Sequence, residues 1–264
     1  MLTLKDYVRA ESLTQAYELN QKKSNRILGG MLWLKMTHLP VQTGIDLSGL
    51  RLNTIEETPE EFLIGCMTPL RDLELHQELN RYTQGAVRES LRHIVGVQFR
   101  NLATVGGSTF GRFGFSDVLT MLMALDTDVE LYSGGILPLA QFAAMAPDRD
   151  ILIRIRIKKT PRKSVYLSHR NSQTDLPVLT CALSGCGSKF QAVIGARPGR
   201  AVRIPDEQRI LSEGITSNTA GRFAEYVSRQ IVTGTNMRAS ADYRRHLAEV
   251  LTRRAVLTMG GERL

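Results

Sequence analysis

Residues 97–130 read VQFRNLATVGGSTFGRFGFSDVLTMLMALDTDVE, and their reading decides the fold. Gly106 and Gly107 lie at the centre, between Thr104 and Ser108. A glycine pair lets the backbone turn sharply and lets another group approach its N–H groups without meeting a Cβ. Ser116 and Asp117 then offer N-cap chemistry to the apolar run 118–125. That run is apolar nearly all the way round, which predicts a helix buried on every side. Residues 126–128, Asp-Thr-Asp, predict a turn, and 129–132 a short strand. A glycine turn ahead of a buried helix can cradle phosphates, and it can equally be an ordinary turn.

A second glycine pair favours the phosphate reading. Residues 25–35, NRILGGMLWLK, run from an apolar strand through Gly29 and Gly30 into more apolar sequence. Two such turns, far apart in the chain, can hold one diphosphate from two sides. No GxGxxG or Walker pattern occurs, so the Rossmann and P-loop signatures lack support.

Together these stretches resemble the FAD-binding medium subunit of the molybdenum hydroxylases, the xanthine dehydrogenase and carbon monoxide dehydrogenase flavoproteins. That family has Gly-Gly after an early strand and an Arg-Asn…Thr-Ile-Gly-Gly-Asn turn. An Asp then opens a Leu-rich helix that ends in Ala-Leu-Asp-Ala. Here Arg100-Asn101, Thr104-Val105-Gly106-Gly107-Ser108, Asp117 and Ala124-Leu125-Asp126 match in order. Residues 236–247, NMRASADYRRHL, resemble the family's closing Arg-Ala-Ser…Tyr-Arg-Arg, so the likeness spans almost the whole chain.

The resemblance implies FAD as cofactor, with cofactor contacts at Leu28, Gly29, Gly30, Met31, Leu32, Thr104, Gly106, Gly107, Ser108, Asp117 and Leu152. It implies no catalytic triad and no metal ligand. Leu152 is the nearest match to a strand Leu that touches the flavin side, and His169 and Arg170 match a basic residue near the cofactor. One departure lies directly after the first pair. The family places Ser or Thr and then Asp or Asn there, whereas this chain has Met31 and Leu32, leaving backbone contacts alone. Asp117 has two compatible readings, a helix N-cap or a carboxylate bonded to FAD hydroxyls. Phe110, Phe113 and Phe115 can stack on an isoalloxazine or close the core, with core packing favoured, and Arg112 can meet a phosphate.

The bulk properties set outer bounds. A chain of 264 residues predicts two or three domains. No apolar run is long enough to span a membrane, and residues 1–13 lack a signal-peptide h-region, so a cytoplasmic location is expected. Cys66, Cys181 and Cys186 make no disulfide framework, and no further Cys or His completes a metal site around the last two. Iron–sulfur centres, if electrons pass through them, therefore belong to a partner. The net charge of +8 suits an anionic partner, but the basic residues are scattered and no nucleic-acid motif accompanies them.

In chain order, a β-poor start precedes a helix over 13–23, capped by Ser12 and Gln15, and then the 26–28 strand. Residues 44–47 predict a strand, 50–57 and 61–66 a hairpin, and 69–76 and 84–95 helices. His76 and His93 each stand alone on helical sequence and are assigned to surface or core packing. Gly134-Gly135 marks a hairpin turn, 151–157 a half-buried strand and 158–163 a linker. Strands over 164–168, 178–184 and 189–194 precede helices over 217–232 and 240–257.

The resulting fold class is α+β. An FAD-binding domain of the PCMH, vanillyl-alcohol-oxidase-like type covers residues 1–158, with subdomains 1–52 and 53–158. A smaller CO-dehydrogenase-flavoprotein-like α+β domain with a three-stranded antiparallel sheet covers 163–264. The expected function is relay of electrons from iron–sulfur clusters through FAD to NAD or another acceptor. The implied partners are a molybdopterin-binding large subunit and a 2Fe-2S small subunit. The alternative is a non-catalytic assembly subunit that kept the fold and lost FAD, motivated by Met31-Leu32 and the Phe-rich segment.

Overall fold

The computed structural model describes residues 2–262. The chain opens with strand β1 (Thr3–Arg9), helix α1 (Leu13–Gln21), β2 (Arg26–Leu28) and β3 (Pro40–Asp46). Both β1 and β2 pair in parallel with β3, giving a three-stranded sheet. The strand β1 corrects the expected β-poor start. None of its residues is buried, so its sequence lacks an apolar alternation and its place is set by backbone pairing with β3. Ser12 caps α1 as expected, accepting from the Gln15 N–H at 3.1 Å.

Next come β4 (Ile55–Glu57) and β5 (Glu61–Gly65), then five short helices: α2 (Leu70–Leu75), α3 (Gln77–Tyr82), α4 (Ala86–Leu91), α5 (Val97–Leu102) and α6 (Val105–Phe110). Gly85 adopts φ +83 as the N-cap of α4, so the helix expected over 84–95 begins only at Ala86, and it ends at Leu91. His76 caps α3 through Nδ1. Helix α7 (Asp117–Ala124) leads into β6 (Thr127–Leu131), β7 (Gly135–Pro138), α8 (Leu139–Ala144) and β8 (Leu152–Lys158). The strands form an antiparallel sheet in the order β4-β5-β8-β6-β7.

After residues 159–162 the chain forms β9 (Lys163–His169), β10 (Leu179–Cys186), β11 (Lys189–Gly195) and β12 (Val202–Pro205), then α9 (Ser217–Gln230) and α10 (Ala241–Met259). This antiparallel sheet is four-stranded, in the order β12-β11-β10-β9, where three strands were expected. The extra strand β12 is a short edge segment holding one buried side chain, Ile204, too little to show as a pattern.

Helix α7 is the keystone of the packing. All eight of its residues are buried, as its all-round apolarity requires. It packs on α4 from its own half and on β10 and β11 from the other. On β10, Thr180 and Ser184 face α7, through Thr120 Oγ1 at 3.1 Å and the Ala124 carbonyl, while Cys181 faces Thr252 of α10. With both faces covered, seven of the eight residues of β10 are buried, and its buried polar side chains, Thr180 and Ser184, are hydrogen-bonded to α7.

Arg244 of α10 is fully buried. Its guanidinium donates to the carbonyls of Val178 at 3.0 Å, Gly234 at 2.7 Å and Ala239 at 2.6 Å, and to Asn236 Oδ1 at 2.6 Å. Arg244→Met leaves those acceptors unpaired and is expected to cost about 3 kcal/mol or more in urea unfolding. Arg245→Met, on the exposed face, is expected to change stability by less than about 0.5 kcal/mol.

Candidate functional site

The loop after β2 lies directly on the residues that lead into α6. A Cβ at Gly30 would sit 1.9 Å from the Leu102 carbonyl oxygen, and one at Gly29 would sit 3.0 Å from Thr104 Oγ1. Glycine is thus required at position 30 by backbone packing. Met31 follows with φ 57, and the chain runs on through Leu32 and Trp33. Among the described residues, the N–H groups of Gly30, Met31, Leu32 and Trp33 have no hydrogen-bond partner in the protein. Such a run of free backbone donors suits an anion.

The second glycine pair is not a free turn but the first turn of α6, capped by Thr104. Its amides already have partners: Gly106 donates to the Cys66 carbonyl at 2.7 Å and Gly107 to Thr104 Oγ1 at 3.1 Å. A Cβ at Gly106 would lie 2.6 Å from the Cys66 oxygen, so that glycine is needed for close packing on the end of β5. Gly107 is exposed, and a Cβ there would meet only Thr104 Oγ1, at 3.2 Å.

Both pairs open on one cavity of about 590 Å³, within the range of small-molecule sites. Gly29, Gly30, Met31, Leu32, Thr104, Gly106, Gly107, Ser108, Asp117 and Leu152 all line it. Leu28 does not; its side chain packs under Gly44 of β3. Phe110, Phe113 and Phe115 all line the cavity; Phe113 is 38% exposed and serves as wall, whereas Phe110 also packs against the core, on the ring of Phe142 at 5.7 Å, as expected. Arg112 turns away from it. Its guanidinium lies 3.8 Å from the Phe142 ring centroid, donates to the Phe142 carbonyl and pairs with Asp148, which makes it structural.

Asp117 is the first residue of α7, and the cap itself is Ser116, whose Oγ accepts from the Leu119 N–H at 3.1 Å. Asp117 Oδ1 accepts instead from the Tyr166 hydroxyl at 2.5 Å and from Arg170. Burial pushes the Asp117 carboxyl up to about 6, against the pull of Arg170 and Tyr166, so it is ionised at neutral pH. Arg170 also donates to the Asp175 carbonyl at 2.6 Å, and Asp175 pairs with Arg238. Arg170 lines the cavity with its side chain 7% exposed, and its Nε is buried without a hydrogen-bond partner. A buried orphan donor is costly unless something accepts from it. His169 lies apart, against Tyr243.

Two family models match nearly all of the chain. The FAD binding domain in molybdopterin dehydrogenase covers residues 2–158, and the CO dehydrogenase flavoprotein C-terminal domain covers 164–259. The chain belongs to the FAD-binding subunits of the molybdopterin dehydrogenases. This flavoprotein subunit is 26% identical to the uncharacterized protein YgfM of Escherichia coli K12, over 94% of this chain and 93% of that one. It is 24% identical to the glyceraldehyde dehydrogenase medium chain of Sulfolobus acidocaldarius, over 94% and 96%. Its fold matches the carbon monoxide dehydrogenase of Hydrogenophaga pseudoflava (TM-score 0.85, 19% identity, 98% of each chain). It also matches quinoline 2-oxidoreductase of Pseudomonas putida 86 (TM-score 0.85, 16% identity, 98% and 97%).

The flavoprotein subunit binds FAD, and its residues fit that cofactor: free amides for an anion, an apolar cavity and one unsatisfied guanidinium N–H. Sequence reading missed Trp33 and the Thr174–Leu176 segment as parts of the wall, because neither carries a motif.

The folded pKa of Asp117 stands above its ordinary value, so its proton stabilises the fold fully below about pH 3.8, and that contribution is lost as pH rises through about 6. The stability of the wild type relative to Asp117→Asn is therefore expected to fall across that window in urea titrations. A flat difference would show that Asp117 does not titrate there.

Proposed function

We propose that this chain carries FAD as an electron relay between the iron–sulfur clusters of a partner and a soluble acceptor, NAD or another. The partners in this reading are a molybdopterin-binding large subunit and a 2Fe-2S small subunit, by analogy with the multi-chain relatives. The observation that carries it is the convergence of both glycine pairs on one cavity that has free amides and an orphan guanidinium N–H.

Bound FAD supplies the two-electron to one-electron chemistry, so the chain needs binding and orientation rather than an acid–base dyad. Gly30, Met31, Leu32 and Trp33 donate their amides to the pyrophosphate. In this arrangement the side chains of Met31 and Leu32 need not be polar. Gly107 leaves room for that group, and the Ser108 hydroxyl lies beside it. Arg170 Nε–H donates to an acceptor on the flavin, and Asp117 holds the guanidinium in place. Leu152 excludes water on the flavin side.

Iron–sulfur clusters need thiolates. Burial pushes the Cys66 and Cys181 thiols up to about 12, which favours placing the clusters on the partner. The assembly-subunit alternative rested partly on the Phe-rich segment 110–115, whose three phenylalanines line the cavity and leave it open.

Visible absorption of the chain after incubation with FAD and desalting is expected to show close to one flavin per chain. Gly107→Val puts a branched side chain into the cavity and is expected to lower retention at least tenfold while the far-ultraviolet spectrum stays native. Unchanged flavin content in that variant would refute this placement of the cofactor.

A further inference from the structure

We propose that Trp33, Phe113 and Phe115 form a stacking platform for the adenine ring of the bound dinucleotide; this rests on the FAD reading above. The Phe113 and Phe115 rings lie parallel, with centroids 5.2 Å apart and planes 9° apart. Trp33 meets Phe115 edge-on at 5.7 Å and leans on Phe99 at 6.0 Å. Two segments far apart in sequence thus build one aromatic surface on the wall of the cavity.

The surface is left partly in water. Trp33 is 41% and Phe113 38% exposed, whereas Phe62, Phe142 and Phe223 are at most 1% exposed. Exposed aromatic faces forgo the burial that makes such side chains stabilising, and a flat ring laid across them recovers it.

The platform is also held in place. A Cβ at Gly111 would lie 2.4 Å from the Phe113 ring, and one at Gly114 would lie 2.3 Å from the Pro198 carbonyl oxygen. The Ala196 N–H donates to the Gly114 carbonyl at 2.7 Å. Arg112, between these glycines, is pinned by Phe142 and Asp148. A surface fixed before binding loses little entropy when a ring settles on it.

Adenine is the ring this surface suits. The amide of Trp33 is itself one of the free donors of the anion-type loop, so the indole adjoins the pyrophosphate. A dinucleotide carries a flat ring on each side of that group. Arg170, buried and holding a free N–H, suits the carbonyl-bearing isoalloxazine. The half-exposed aromatic wall suits the ring that takes no part in electron transfer.

Trp33 is the only tryptophan in the chain, so its emission reports on the platform directly. Titrating the flavin-free chain with ADP is expected to quench that emission saturably; FMN is followed by calorimetry, because an isoalloxazine quenches indole emission by energy transfer wherever it binds in the cavity. By calorimetry, Trp33→Leu and Phe113→Leu are each expected to weaken ADP binding on the order of tenfold and to leave FMN binding as it was. Equal ADP affinity in the wild type and both variants, or no quenching by ADP, overturns the platform even where FAD is retained. Failure of the wild type to retain FAD overturns the underlying reading, and the platform with it.

Discussion

The site depends on one close approach of backbone to backbone. Gly30 lies so near the Leu102 carbonyl that a Cβ would come within 1.9 Å of its oxygen. No side-chain movement relieves such a contact, because the obstacle is main chain. This approach sets the loop after β2 beside the residues leading into α6. The matching approach of Gly106 to Cys66 seats α6 on the end of β5. Most of the glycines that mark this site therefore serve closeness rather than flexibility. Only Gly107 leaves space that the protein itself does not fill.

Around that contact the molecule divides its polar groups sharply. The amides of α6 are all used within the protein, while those of Gly30 to Trp33 are left free. Met31 holds a left-handed conformation, which costs a β-carbon-bearing residue about 1 kcal/mol and is typical of backbone committed to a ligand. Free main-chain donors make no demand on the side chains there, so Met31 and Leu32 can stand where the family has a polar pair.

Two buried ion pairs join segments. Asp117 of α7 holds Arg170 and Tyr166 of the C-terminal half, and Glu74 of α2 holds Arg100 of α5 at 2.7 Å with both side chains 5% exposed. Buried ions are expensive unless paired and hydrogen-bonded, so each pair fixes one arrangement of the segments it links. The cavity inherits its rigidity from these links and from α7, which is enclosed by both halves.

Local chemistry alone determined a good deal. The all-round apolar α7, the alternating β8, the hairpins and the capped α1 were legible because period and capping act over a few residues. The ordered motifs marked the family, and of the cofactor contacts they implied all but Leu28 lie on the cavity wall. Tertiary structure decided the rest. It supplied β1 and β12, which bury too little to leave a pattern, and it showed which glycine amides are free. Of the two N-cap candidates, Ser116 and Asp117, it chose Ser116. It also moved Phe113 from the core to the cavity and Arg112 from the cavity to a structural pair. Each of these depends on what lies opposite a residue in space, and one strand of sequence carries no record of its distant neighbours.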